Sequence, residues 1–413
     1  MGITSESASA PRLVATTREF DAAGALLDAL PEPEGTLAWV RQGEGIVGWG
    51  VAAECSPRGA GRFGAAERWW AGLVDRIGVR DEVELPGTGL VAFASLAFAD
   101  RPGTSRLIVP RVLIGRRGDT GWITTFDTRL DVGVTPVRAP GPPSYSQGRV
   151  SVAGYRAAVA AAVRRIRAGE LGKVVLAHDL LATTRAPLDE RFLLRGLAQR
   201  YPSCWTFAVD GLLGATPELL LAREGDQVSA RLLAGTAWPR AGQDPDGLAA
   251  ELLGSAKNRG EHQYGIDSLR AALAPFCERL QVPAQPSVLR LPNVAHLASD
   301  VRGTLDGDAS LLRLAQRVHP TAAVGGTPRA QAVAAIGELE GMDRGRYAGP
   351  VGWIDARGNG ELGVALRCGL RSGNTLRLFA GCGIVADSQP DSEVTEAAAK
   401  FVPMRDALER TTD

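Results

Sequence analysis

Three side chains near the end of the chain, Glu393, Glu396 and Lys400, stand at i, i+3 and i+7 in a stretch with helical spacing. That spacing places them on one helix face, pointing the same way. Two carboxylates converging there suit a hard cation such as Mg²⁺, which takes oxygen ligands and keeps several waters. A solvated face of Glu–Lys pairs explains the same spacing and is the more ordinary reading of it alone. A further carboxylate, Glu261, lies in Ala256–Tyr264 (AKNRGEHQY) on a long predicted helix. Its neighbour His262 has no second histidine nearby and is not read as a zinc ligand.

Lys173 opens the apolar run Lys173–Ala177 (KVVLA), a position that could aim it into a cleft. Desolvation and a nearby metal would lower its pKa there and prepare it as a general base. Glu218 sits where the Gly/Pro turn of Gly214–Leu219 (GATPEL) meets an apolar strand. Partial burial at that point would raise its pKa and let it serve as an acid. The plainer account of each is a strand-end charge facing water. Lysine is itself scarce: of 46 basic residues only Lys173, Lys257 and Lys400 are not arginine. Arg keeps its proton in proteins, whereas Lys can act as a base.

Gly381–Ala386 (GCGIVA) imitates a dinucleotide fingerprint after the strand-like Leu376–Ala380. A turn containing Pro390 follows instead of a helix opening at the glycines, so no dinucleotide site is expected. The glycines would rather let backbone N–H groups approach an anionic ligand.

The elements that must hold these residues read as a mixture. Short apolar stretches at 36–40, 45–52, 90–98 and 107–114 predict strands, with a helix over 63–77. Helices are predicted at 155–168, 189–199, 247–273 and from about 391 to 410, with further strands between them. Many strands with clustered helices indicate an α+β fold. The turn-rich Ala139–Tyr145 (APGPPSY) divides a strand-rich N-terminal half, residues 1–140, from a region at 145–410 that carries all the candidate chemistry.

Lys+Arg and Asp+Glu balance at 46 each, so no global field favours nucleic acid or an anionic membrane. No apolar run approaches the roughly 20 residues needed to span a bilayer, and Met1–Phe20 lacks the pattern of a signal peptide. Five scattered cysteines fit reduced thiols, and a cytoplasmic location is expected.

In this order the segments resemble the chorismate-utilising enzymes, which include isochorismate, anthranilate, aminodeoxychorismate and salicylate synthases. The resemblance runs from about Tyr155 to Met404 and rests on KVVLA, GATPEL, Leu233–Thr236 (LAGT) and Lys257–His262 (KNRGEH). It continues through His296–Leu305, Arg344–Trp353 (RGRYAGPVGW), Ala365–Arg367 and Gly381–Lys400. It implies two packed, mostly antiparallel sheets with helices outside, the fold of anthranilate synthase component I. The N-terminal half would complete that core without an activity of its own.

The resemblance also implies roles. Glu261 and Glu396 would bind Mg²⁺ with Glu393 close by, and Tyr347, Arg367, Lys400 and the backbone at Gly383 would contact substrate carboxylates. His296 would face the ring, and Thr236 would line the pocket. Lys173 would take a proton from water attacking C2 of chorismate while Glu218 protonates the departing C4 hydroxyl. Ala323 and Val324, in His319–Pro328, point to the isochorismate-forming branch, and Ala234 lacks the lysine nucleophile of some aminodeoxychorismate relatives. A Mg²⁺-dependent isochorismate synthase is therefore expected, serving menaquinone or siderophore biosynthesis, as a monomer without a glutaminase subunit. Salicylate synthase and a non-catalytic chorismate binder are the alternatives. His178 and Cys382 depart from the family pattern, at positions where many relatives have Arg and Ala.

Overall fold

The computed structural model of the chain describes residues 13–21, 24–126, 133–238, 244–292 and 294–410. The start of the chain, for which no export signal is expected, lies outside the described residues as far as residue 12.

Tight turns set the local pairing. Asp210 and Gly211 both take left-handed φ, +51° and +75°, between the strands Trp205–Val209 and Leu212–Thr216. Two successive left-handed residues match the twist of a hairpin, and Asp-Gly is a favoured pair for it. Gln42-Gly43 repeats the device between Leu37–Arg41 and Glu44–Trp49.

Among the described residues these hairpins assemble into one sheet of thirteen strands and a second of ten. Pairing is antiparallel apart from Val14–Glu19 against Gly78–Asp81. Both sheets mix strands from either side of residue 140: Trp205–Val209 pairs with Leu37–Arg41, and Pro350–Asp355 pairs with Val91–Ser95. The sheets meet where Trp39 of the larger packs on Gly363 of the smaller, its ring 2.8 Å from where a Cβ would stand. One apolar core runs between them and includes Trp39, Phe93, Phe207, Leu221 and Leu362. Helices lie outside, and Val152–Arg167 and Arg329–Leu339 both pack on the strand Lys173–Thr183. No helix among the described residues is long and apolar enough to cross a membrane.

Three elements expected as continuous are broken. The helix over 247–273 is two, Pro245–Gly254 and Ala256–Leu273, because Ser255 is extended and caps the second by accepting from Asn258 N–H. The closing helix divides at Phe401 into Pro390–Lys400 and Val402–Glu409, with Pro403 in the first turn of the second. The strand over 107–114 splits at Pro110, which cannot donate to a ladder.

Candidate active site

The long strands carry the candidate residues to one place. Lys173 begins the strand Lys173–Thr183, and Glu218 follows the hairpin strand Leu212–Thr216. Thr236 and His296 are cross-strand neighbours on Gln227–Ala237 and Val294–Leu305, opposed across a bulge in which Gly235 takes φ +79°. Glu261 comes from the helix Ala256–Leu273, and Glu393, Glu396 and Lys400 come from one face of Pro390–Lys400. Glu218, Thr236, Glu261, His296, Tyr347, Arg367, Gly383, Glu393, Glu396 and Lys400 all line a single cavity of about 140 Å³. Ala234, Ala323 and Val324 form an apolar part of its wall.

Lys173 lies just behind that lining, 1% exposed, and its Nζ donates to Glu261 Oε1 at 2.8 Å. Gly383 permits this contact: a Cβ there would come within 2.6 Å of Glu261 Oε1 and 2.8 Å of Lys173 Cε. The glycine thus admits the Lys–Glu pair beside the strand. Glu218 is 3% exposed, and burial pushes its carboxyl up to about 8 against the opposing charge of Lys173. A carboxyl in that state keeps its proton at neutral pH and can donate it.

His296 is held neutral. Burial, with Arg367 and Lys400 nearby, lowers its pKa to about 3. Arg367 Nη2 lies 3.4 Å from Nε2, and Thr236 Oγ1 lies 3.2 Å from Nδ1. With a guanidinium at Nε2, which only donates, the proton belongs on Nδ1 and faces Thr236. Arg367 itself takes φ +48°, a strained left-handed conformation for a side chain of its size. Tyr347 stacks on Phe379 at 5.0 Å, and burial pushes its phenol up to about 12. Lys400 donates to Gly381 O at 2.8 Å and to Glu396 Oε1 at 2.7 Å. Burial opposes its charge, but the Glu396 carboxylate favours it, and its pKa stands above the ordinary value.

Ligand atoms of Cys382, Glu393 and Glu396 lie within 4.8 Å of one another. Glu261 is outside that group and lies beside Lys173 and Gly383. The carboxylates are hard oxygen donors of the kind Mg²⁺ takes, whereas burial pushes the Cys382 thiol up and keeps it protonated. Ser388 Oγ donates to Glu393 Oε1 at 2.7 Å and orients that carboxylate.

His262 is structural. Its ring nitrogens reach Ala234 O at 3.2 Å and Ser299 Oγ at 2.8 Å, latching the Glu261 helix to the sheet. His178 stands on the face of its strand away from the cavity, between Tyr155 at 4.6 Å and Phe401 at 5.1 Å. The sequence reading missed Arg344, which also lines the cavity, and its buried partner Glu340. Their i, i+4 spacing was the available signal, but that pattern usually marks an exposed pair.

A family model described as chorismate binding enzyme matches residues 134–409, more than half of the chain. The isochorismate synthase DhbC of Bacillus subtilis is 43% identical over 269 residues, covering 62% of this chain and 67% of that protein. The vibriobactin-specific isochorismate synthase of Vibrio cholerae is 37% identical over 255 residues, 60% of this chain and 64% of the relative. Among solved structures, the menaquinone-specific isochorismate synthase MenF from Escherichia coli superposes with a TM-score of 0.80 at 25% identity. That match covers 97% of this chain and 95% of MenF. The matched model, these relatives and the shared fold lead to one conclusion: the chain belongs to the chorismate binding enzymes.

Proposed function

We propose that this chain is a Mg²⁺-dependent isochorismate synthase, adding water at C2 of chorismate with loss of the C4 hydroxyl. The observation that carries the reading is a lysine and a carboxyl that still holds its proton placed at one cavity: Lys173, just behind the lining and hydrogen-bonded to Glu261, and Glu218 with its pKa at about 8. Hydroxide is a poor leaving group and water a weak nucleophile, so the reaction needs a base on one side and an acid on the other. Lys173 takes a proton from the entering water, and Glu218 gives one to the departing hydroxyl. One water enters and one leaves, so substrate and product are isomers.

Arg367, Lys400 and Tyr347 supply donors for the carboxylates of a dianion, and neutral His296 faces the ring without adding charge. Glu393 and Glu396, with Glu261 of the same cavity, would hold the ion. A bound Mg²⁺ would supply positive charge for a substrate carboxylate. No ammonia enters this reaction, so no glutaminase partner is invoked. The five cysteines are free, in keeping with a cytoplasmic enzyme. We infer menaquinone or siderophore biosynthesis as the destination of the product.

The test is chromatographic product analysis of purified protein with chorismate, with and without Mg²⁺. Isochorismate formed only with Mg²⁺, and lost in Lys173→Ala and Glu396→Ala, is the expected result. Salicylate with pyruvate as the enzymatic products, or no consumption of chorismate, would overturn the reading.

A further inference from the structure

The strand Lys173–Thr183 has a gap along its outer edge. On its inner side it pairs without interruption with Thr375–Ile384. On the outer side, Lys173 and Val174 pair with Thr327 and Gly326, and Val175 N–H donates to Gly325 O at 2.9 Å. Farther along, Asp179 O accepts from Gly148 N–H at 3.2 Å, and Leu180–Thr183 pairs with Ser144–Gln147. Between these two partners the carbonyl of Val175 and the N–H of Ala177 would be left over. Leaving buried backbone groups unpaired costs about 1–3 kcal/mol each.

Side chains fill the near end of that gap. Arg344 Nη2 donates to Val175 O at 2.8 Å, and Ala177 N–H donates to Glu340 Oε1 at 2.8 Å. The two are ion-paired to each other, Arg344 Nε donating to Glu340 Oε2 at 2.9 Å, and their side chains are 3% and 0% exposed. The remaining arm of the fork, Arg344 Nη1, donates to Val324 O at 3.0 Å. Phe98 backs the guanidinium, its ring centroid 4.2 Å from Cζ. One fork therefore grips the strand that begins at Lys173 and the apolar wall at Val324.

We propose that Arg344 and Glu340 are positioning residues, a side-chain pair standing in for a missing piece of strand. The pair sets Lys173 and the Val324 wall in register with each other, and the idea rests on Lys173 serving as the base. The register matters because successive strand residues face opposite ways, so a slip of one residue would turn Lys173 away from the cavity. Arginine suits the task because its planar fork donates in three directions at once, which an ammonium cannot match at fixed geometry.

The test compares Arg344→Lys and Glu340→Asp with wild type and with a control, Arg191→Lys. Arg191 is another fully buried arginine, paired with Asp189 and donating to the carbonyls of Pro31 and Thr135. Both test variants keep a buried ion pair, so folding should survive; each withdraws one grip. We expect kcat to fall on the order of 10²-fold, the cost of misplacing a catalytic group, with KM changed by less than about threefold. Hydrogen exchange should quicken at 173–177 and 324–325. The control should lose thermal stability while keeping kcat. A kcat within about twofold of wild type in both test variants would overturn the proposal, as would an equal loss in the control at matched stability. A wild type that forms no isochorismate fails the functional reading, while the exchange pattern separately decides whether the pair holds the strand.

Discussion

Lys173 Nζ and Glu261 Oε1 lie 2.8 Å apart, joining the first residue of a sheet strand to the middle of a helix 88 residues later. Lys173 is 1% exposed and Glu261 19%, so either charge alone would be stranded in a poor solvent for it. Glu261→Gln should cost about 3 kcal/mol of stability, the usual result of breaking a buried pair on one side. Lys173→Met together with Glu261→Gln should recover part of that loss, in urea unfolding of the single and double variants. Additive single effects would show the pair to be uncoupled.

Glu218 ties both activity and stability to pH, and both fall as pH rises. Its carboxyl titrates near 8 in the folded chain against an ordinary 4.5, so its acid form disappears as pH rises through about 8. The rate of the chorismate reaction should fall along that limb, and Glu218→Gln should be inactive at every pH. For stability, the folded state holds the extra proton between 4.5 and 8, so burying Glu218 costs more as pH rises across that window. Glu218→Gln should therefore be more stable than wild type at pH 9 and little different at pH 4, by up to several kcal/mol at about 1.4 per unit. Thermal unfolding at the two pH values measures this.

His178 should matter at low pH and not to turnover. Burial lowers its pKa to about 4 from 6.5, so the folded state resists protonation. The stability this residue leaves intact above pH 6.5 is lost progressively as pH falls toward 4. His178→Phe, packed between Tyr155 and Phe401, should flatten that acid loss by up to about 3 kcal/mol and leave kcat near wild type. A matched fall in kcat would show that the away-facing side of the strand reaches the cavity.

Ala348 lines the cavity with φ +59°, a conformation that glycine adopts without steric strain. Ala348→Gly should relieve roughly 1–2 kcal/mol of strain and lose part of that to chain entropy, for a net gain below about 1 kcal/mol. A differential scanning measurement showing a lower Tm would mean that packing of the methyl outweighs the strain.

What could be read from the sequence was whatever depends on local geometry. The spacing of Glu393, Glu396 and Lys400 fixes their shared face because helical periodicity needs only the helix. The placement of Lys173 and Glu218 at strand ends was legible from the turn and apolar runs around them, and the order of motifs placed the chain among its relatives. The Lys173–Glu261 contact was not legible, because it joins elements whose meeting depends on the whole sheet order. Ser255 was passed over because apolar periodicity runs straight through it, and only the extended backbone reveals it as a cap. Arg344 and Glu340 stand at i, i+4, a spacing that usually marks an exposed pair, and nothing local says that both are buried. Pro110 was a visible breaker inside a predicted strand, and a stricter reading of proline would have divided that strand.

The interleaving of strands across residue 140 bears on how this protein can be cut. The family match begins at residue 134, and it would be natural to trim the gene there and express only the matched part. Such a fragment would lose the neighbours of two wholly buried strands, Trp205–Val209 and Pro350–Asp355. Each would become a flat apolar edge with open hydrogen-bonding groups, a template for aggregation. The N-terminal segment holds no candidate catalytic group, yet its strands cover both of those edges. A chimera should accordingly exchange the whole two-sheet body.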